Sequence, residues 1–361
     1  MAPPGESDGP AAEGSTVDGG PLRAPPARKS QRSEGRVIAL TGSASFLGRN
    51  LVGLLEEDPQ VRSVIAIDVK PPVTSGPKTR LHEVDLTAPS SEERVAEILA
   101  AEGVDTLVHL AFLSSPTHAT AWAHELESVG TMHLLHAARQ VSLRKIVLWS
   151  QTILYGAHPT NPNFLTERHG LRAESDDPFF ADKIAAEREV LAFGGKSKGS
   201  VCTILRTAPI VGPTVQNYVT RYFAQRAVMT LLGFDPLWQF VHEVDAIAAF
   251  KLAIDRDFPG VFNIVGDGVL PVSTIVRMAG RVALPVFHPL AEMMVSAAWA
   301  AQIADVPPSF LRYLRYLCVA DGDKAARVMG FRPAYTTREA LLDYLSAQRL
   351  RDVRLLHETP A

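Results

Sequence analysis

Apolar positions along the chain follow two alternating rhythms. Short runs of four to six β-branched and aliphatic residues recur at 37–40, 64–67, 106–111, 145–149, 201–206 and 261–265. Each is too short for a helix and rich enough in Val, Ile and Leu for a strand buried on both faces. Between them lie longer stretches with apolar residues at helical spacing: from 50 onward, 91–102, 122–141, 180–193 and 246–254. In 122–141 the predicted apolar face is Leu126, Val129, Met132, Leu134, Leu135 and Ala138. Strand and helix in repeated alternation predict a parallel sheet wound on both sides, an α/β fold of Rossmann-like type.

The first strand runs into Thr41-Gly42-Ser43-Ala44-Ser45-Phe46-Leu47-Gly48, after which helical spacing begins. A glycine turn between strand and helix is a cradle for an anion, because backbone N–H groups and the positive end of the helix dipole converge there. Gly42 is expected to make the tight turn, and Gly48 to allow close packing of helix on strand. The second strand ends in Asp68. An acidic side chain there suits a ribose 2′-hydroxyl and repels a 2′-phosphate, which points to NAD over NADP. Ser45 stands where such loops usually carry a further glycine, and its side chain is expected to crowd the approach of a pyrophosphate.

Composition narrows the field. The 361 residues are 46% hydrophobic and 21% charged, with a formal net charge of −3. No long basic run is present, which argues against nucleic acid and acidic membrane surfaces as partners. Cys202 and Cys318 have no Cys/His neighbourhood, so neither a disulfide framework nor structural zinc is expected. Residues 1–35 hold six glycines and six prolines with few large apolar side chains, the composition of a disordered tail without a secretory apolar core. The stretch 283–304 is apolar and Ala-rich but interrupted by His288, Pro289, Glu292 and Gln302, which fits a lid or partner-facing helix and not a membrane span. A cytoplasmic location is expected.

Order and spacing of further landmarks resemble one family, the extended short-chain dehydrogenase/reductases of the NAD-dependent epimerase/dehydratase type. The landmarks are Thr41-Gly42…Gly48, Asp68, Asp85-Leu86, His109-Leu110-Ala111, Gly130-Thr131, Tyr155-Gly156, Lys183, Leu205-Arg206, Gly212-Pro213, residues 240–245 and residues 323–333. The resemblance covers about residues 37–345. It implies a Rossmann-like NAD domain over 36–206 with interleaved segments at about 239–265, and a smaller substrate-binding α/β region over 207–238 and 266–350. It implies that Gly42, Ser45, Phe46, Leu47 and Gly48 border the pyrophosphate. Asp68 would hold the adenosine ribose, Asp85 and Leu86 would border the adenine, Ala111 would line the nicotinamide side, and Lys183 would bond the nicotinamide ribose. A small-molecule substrate is implied, in this family often a nucleotide-sugar. A homodimer is left open.

The family's chemistry rests on a Tyr-x-x-x-Lys pair and a Ser or Thr four residues before the tyrosine of the Tyr-Gly element. The lysine lowers the phenol's pKa, about 10 when unperturbed, so that a phenolate takes a proton while NAD takes a hydride. Here Phe179 stands four before Lys183, and Gln151 four before Tyr155. Glu127 replaces the family's asparagine before Gly-Thr. Phenylalanine carries no proton, and glutamine hydrogen-bonds without relaying one. Tyr155 keeps a phenol and is the remaining catalytic candidate beside Lys183, against the simpler reading of a pocket wall. His109, His242 and Asp245 are read as structural residues at strand ends. Two functions follow: an epimerase or dehydratase relative with a rebuilt acid/base group, or a non-catalytic NAD-dependent binding or regulatory module.

Overall fold

The computed structural model describes residues 35–71, 75–173, 177–197 and 199–358. The tail expected over 1–35 therefore lies, but for Gly35, outside the described residues. In chain order come β1 (Arg36–Thr41), α1 (Phe46–Glu57), β2 (Val61–Asp68), β3 (Thr79–Glu83), α2 (Ser91–Glu102), β4 (Thr106–His109), α3 (Thr120–His124), α4 (Gly130–Gln140), β5 (Lys145–Gln151), α5 (Pro178–Lys196) and β6 (Val201–Thr207). These are followed by β7 (Ile210–Val211), α6 (Tyr218–Ala224), β8 (Ala227–Leu231), β9 (Leu237–Trp238), β10 (Val241–His242), α7 (Glu243–Asp255), β11 (Gly260–Ile264), β12 (Leu270–Pro271), α8 (Val272–Met278), β13 (Val282–Val286), α9 (His288–Ala300) and α10 (Thr337–Glu358).

Seven strands make one parallel sheet in the order β11-β6-β5-β4-β1-β2-β3. The pleat sends Ile38 and Leu40 to one face, where Leu51, Leu55 and Phe250 from α1 and α7 cover them. Val37 and Ala39 go to the other face, under Val95, Leu99, Leu134 and Leu135 from α2 and α4. With helices on both faces, the strands read as continuous apolar runs. The chain order reverses between β1 and β4, and in open α/β sheets ligands gather at the carboxyl ends of the strands beside such a point. Short strand pairs, β7 with β10, β9 with β12 and β8 with β13, together with α6, α8, α9 and α10, build smaller cores beside those carboxyl ends.

Two expectations are corrected here. The helix expected over 122–141 contains a π-helical turn at Glu125–Val129, between α3 and α4. The extra residue in that turn rotates the following face. Met132 therefore lies exposed, while Glu127 is buried. The apolar stretch 283–304 is not all helix. Its start is β13, which pairs in parallel with β8, and α9 follows with only Ala291 fully buried. Among the described residues no helix is long and apolar enough to cross a membrane.

Candidate functional site

The glycine turn after β1 has the geometry the sequence demands. Gly42 sits at φ 66°, and a Cβ there would come within 2.7 Å of the Leu110 carbonyl. A side chain on Gly48 would overlap the carbonyl of Gly42 and the backbone of Ser43, so strand and helix approach as closely as glycine permits. Ser45 Oγ accepts the Gly48 N–H at 3.1 Å and caps α1. Asp68 is half-buried at the end of β2. Its Oδ2 accepts the Ala44 N–H at 2.9 Å, so the carboxylate lies against the loop.

A cavity of about 340 Å³ opens at the start of α1. Ser45, Phe46 and Leu47 form one wall, and Gln151 faces it from the end of β5. The preceding Ser150 does not line the cavity, and its Oγ donates to Glu187 at 2.6 Å. Sequence reasoning missed Arg49, Phe112, Ser114 and the 214–218 segment, all of which line this cavity. For Arg49 the signal was available, a cation one residue after Gly48 in the first turn of the helix. For 214–218 no local pattern announces the role, because a loop from the other half of the fold brings it there. Ala111 follows β4 but does not itself line the cavity.

Lys183 is not in that cavity. Its Nζ donates to both carboxylate oxygens of Glu127, at 2.8 and 2.7 Å, and both residues are buried. The Phe179 ring covers the ammonium, with Nζ 3.8 Å from the ring centroid. Glu127 also accepts the Leu113 N–H at 2.6 Å. Burial pushes the Glu127 carboxyl up and the Lys183 ammonium down, and each shift is opposed by the other's charge. The π turn is what carries Glu127 inward to meet the lysine. Phe179 is held in turn by Phe180, Tyr218 and Phe310. Glu127 and Phe179 line a separate pocket with Trp299 and Asp177, away from Gln151.

Tyr155 does not line the Gln151 cavity. It is fully buried, its OH donates to Asn263 Oδ1 at 2.8 Å, and it accepts from Arg206 at 2.8 Å. Burial pushes the phenol up to about 12, against the pull of the Arg206 charge. Arg206 is also clamped by Glu187, so Ser150, Glu187, Arg206, Tyr155 and Asn263 form a buried polar network across β5, α5, β6 and β11. Such a network fixes the strand ends it joins. Asp85 is exposed and accepts the Thr87 N–H and hydroxyl, at 2.9 and 2.7 Å, in a local turn. Leu86 is buried beneath it, close to Gly130.

The three residues read as structural at strand ends are all buried, although Asp245 lies in the first turn of α7 and not at a strand end. His109 is fully buried between Thr41 Oγ1 at 2.6 Å and Thr131 Oγ1 at 2.8 Å. Thr131 gives its only hydroxyl proton to the Glu127 carbonyl, so His109 Nε2 must carry the hydrogen and Nδ1 accept from Thr41. Desolvation lowers the imidazole to about 3. His242 caps α7 and meets Asp343, and Asp245 accepts the N–H groups of Ala334 and Tyr335. Among the described residues no His, Cys, Asp and Glu cluster could hold a metal ion.

A second cavity, about 280 Å³, adjoins the first, with Ile153, Pro209 and Tyr218 lining both. It lies among α6, α9 and the 303–318 segment, on the side where the smaller cores are built.

The model of the NAD dependent epimerase/dehydratase family matches residues 38–265. An uncharacterized protein of Mycobacterium tuberculosis (strain H37Rv) is 31% identical over 318 residues, 87% of this chain and 85% of the relative. The structure of MoeE5 in complex with UDP-glucuronic acid and NAD superposes with a TM-score of 0.68 at 23% identity, over 88% of this chain and 100% of that one. UDP-glucose 4-epimerase from Thermotoga maritima, solved with UDP-glucose, gives 0.67 at 20% identity, over 87% and 99%. At such identities the shared feature is the fold.

Proposed function

The chain belongs to the NAD-dependent epimerase/dehydratase family, and from that premise we propose that it is an NAD-binding protein without ordinary hydride transfer, a binding or regulatory module that holds a second small molecule beside the cofactor. The residues present fit the cofactor. The N-terminus of α1 and Arg49 supply the positive field a pyrophosphate requires, and Ser45 caps the helix. Asp68, tied to Ala44, would bond the adenosine ribose. Phe112 and Gln151 would border the nicotinamide end of the 340 Å³ cavity. NAD, when bound, supplies a hydride acceptor. On this reading residues 36–206 and 239–265 carry the cofactor, and residues 207–238 and 266–350 carry the second ligand.

One observation carries the non-catalytic part: the Lys183 ammonium is bonded to both Glu127 oxygens beneath the Phe179 ring. A lysine held this way neither reaches a ribose nor lowers the pKa of a phenol, and position 179 offers no phenol. Tyr155 cannot substitute, since its oxygen is committed to Arg206 and Asn263. Removing a general base typically costs about 10²–10⁴-fold in rate.

The test is calorimetry with NAD followed by a turnover assay against nucleotide-sugars and simple secondary alcohols. Binding without NAD-linked turnover is expected. Robust turnover would overturn the non-catalytic reading, and absence of NAD binding would overturn the cofactor assignment.

A further inference from the structure

We infer that the second cavity takes a neutral, ring-containing apolar molecule, and not the nucleoside diphosphate of a nucleotide-sugar. The inference rests on the proposed NAD site only for what stands next to the ligand. Those walls are ring faces and aliphatic chains: Tyr218, Tyr222, Trp238, Phe310, Tyr313 and Leu314. The polar tips of three of these rings are turned into the protein. Tyr222 OH donates to the Met229 carbonyl at 2.6 Å, Tyr313 OH to the Ile153 carbonyl at 2.8 Å, and Trp238 Nε1 to the Tyr313 carbonyl at 2.8 Å. Gln239 is committed as well, with Oε1 accepting the Ala320 N–H and Nε2 donating to the Gly266 carbonyl. Tyr222, Trp238 and Tyr313 thus offer the carbon surface of their rings to the space they line, which suits contacts with another ring.

Charge points the same way. Among the described residues Arg221 and Asp305 are the charged ones of the lining; they lie 3.9 Å apart, each about half exposed, and so offset one another. A diphosphate needs several cationic or N–H donors to replace its water, and an unmatched charge in an apolar cavity is strongly disfavoured. A neutral ring system loses little on entering and gains from the apolar area it covers. Because Ile153, Pro209 and Tyr218 line both cavities, the bound molecule lies against the cofactor cavity, which is where a ligand sensed together with NAD has to be.

The experiment uses the full chain with N-phenyl-1-naphthylamine, a neutral aromatic probe whose emission rises in apolar sites, and UDP-glucose as the competing chemistry. The unaltered protein is expected to give saturable probe fluorescence at about one site per chain, no displacement by UDP-glucose, and no heat with UDP-glucose alone. Val295→Trp, which fills the cavity from α9, is expected to weaken the probe at least tenfold and leave NAD affinity within twofold. Ala304→Trp fills it from the following segment and serves if the first variant does not fold. Displacement of the probe by UDP-glucose would overturn the inference. So would a fluorescence increase indifferent to both tryptophan variants, which would place the probe on the exposed apolar residues of β13 and α9. Cavity-dependent probe binding in a protein that fails to bind NAD would support the inference while overturning the cofactor reading.

Discussion

At the residue scale the proposed reading turns on three side chains, Glu127, Phe179 and Gln151, which stand where the family resemblance implies other groups; Glu127 and Phe179 enclose Lys183. A buried pair of this kind adds little net stability, but breaking it leaves an uncompensated charge, at a cost of about 3–5 kcal/mol. Glu127→Gln and Lys183→Met are each expected to destabilise by about that amount in urea unfolding at neutral pH. The double variant should cost well under the sum of the two, with a coupling of about 2 kcal/mol or more. Near-additive losses would mean that the lysine is free for a ligand. His109 makes a second expectation. Its folded pKa, about 3, lies below the ordinary 6.5, so the unfolded chain takes up the proton first. Stability should therefore be intact above pH 6.5 and fall as the pH drops toward 3, by about 2 kcal/mol at pH 5 from this group alone. His109→Gln should be less stable at pH 8 yet show a flatter profile between pH 7 and 5. An unchanged slope would remove His109 as the cause.

Elements were legible wherever one local rule decided them. The six short apolar runs are six of the seven strands of the central sheet, and α2 falls on the residues its spacing gives, 91–102. Gly42 and Gly48 were readable because the turn and the close approach of backbone admit no side chain. What could not be read came from longer range. Nothing in the spacing of 122–141 announces a π turn; it forms where Glu127 has a buried lysine to meet, from a helix 56 residues away in sequence. Likewise β13 looks helical by itself and becomes a strand because β8 offers it a parallel partner. Tyr155 looks like a site residue because the family keeps a tyrosine beside a glycine there. Its burial depends on Arg206 and Asn263, which only the assembled sheet brings to its oxygen. Local pattern therefore gave the glycine turn between β1 and α1, and tertiary partners decided that Lys183 and Tyr155 are both buried.

For the whole molecule, two adjoining cavities at the carboxyl ends of the strands make ligand binding a property of the assembled fold, and stability reports it directly. A ligand that binds only the folded chain adds about 2.7 kcal/mol at a hundredfold excess over its dissociation constant, and raises the melting temperature accordingly. NAD is expected to raise it by several degrees. NADP at the same concentration should do less, because its extra phosphate would face the Asp68 carboxylate at the loop. Two such charges about 4 Å apart repel by about 1–4 kcal/mol between bulk water and a protein surface, which is roughly five- to several hundredfold in affinity. Asp68→Asn can still accept the Ala44 N–H while lacking the charge, so it should narrow the gap between the two cofactors with little change in the unliganded melting temperature. Asp85→Asn is the control, since Asp85 sits in an exposed turn with Thr87 and should leave the gap as it is. Equal shifts with NAD and NADP in the unaltered protein would remove Asp68 from the ribose. A gap that closes with Asp85→Asn instead would move cofactor selection from β2 to the turn after β3.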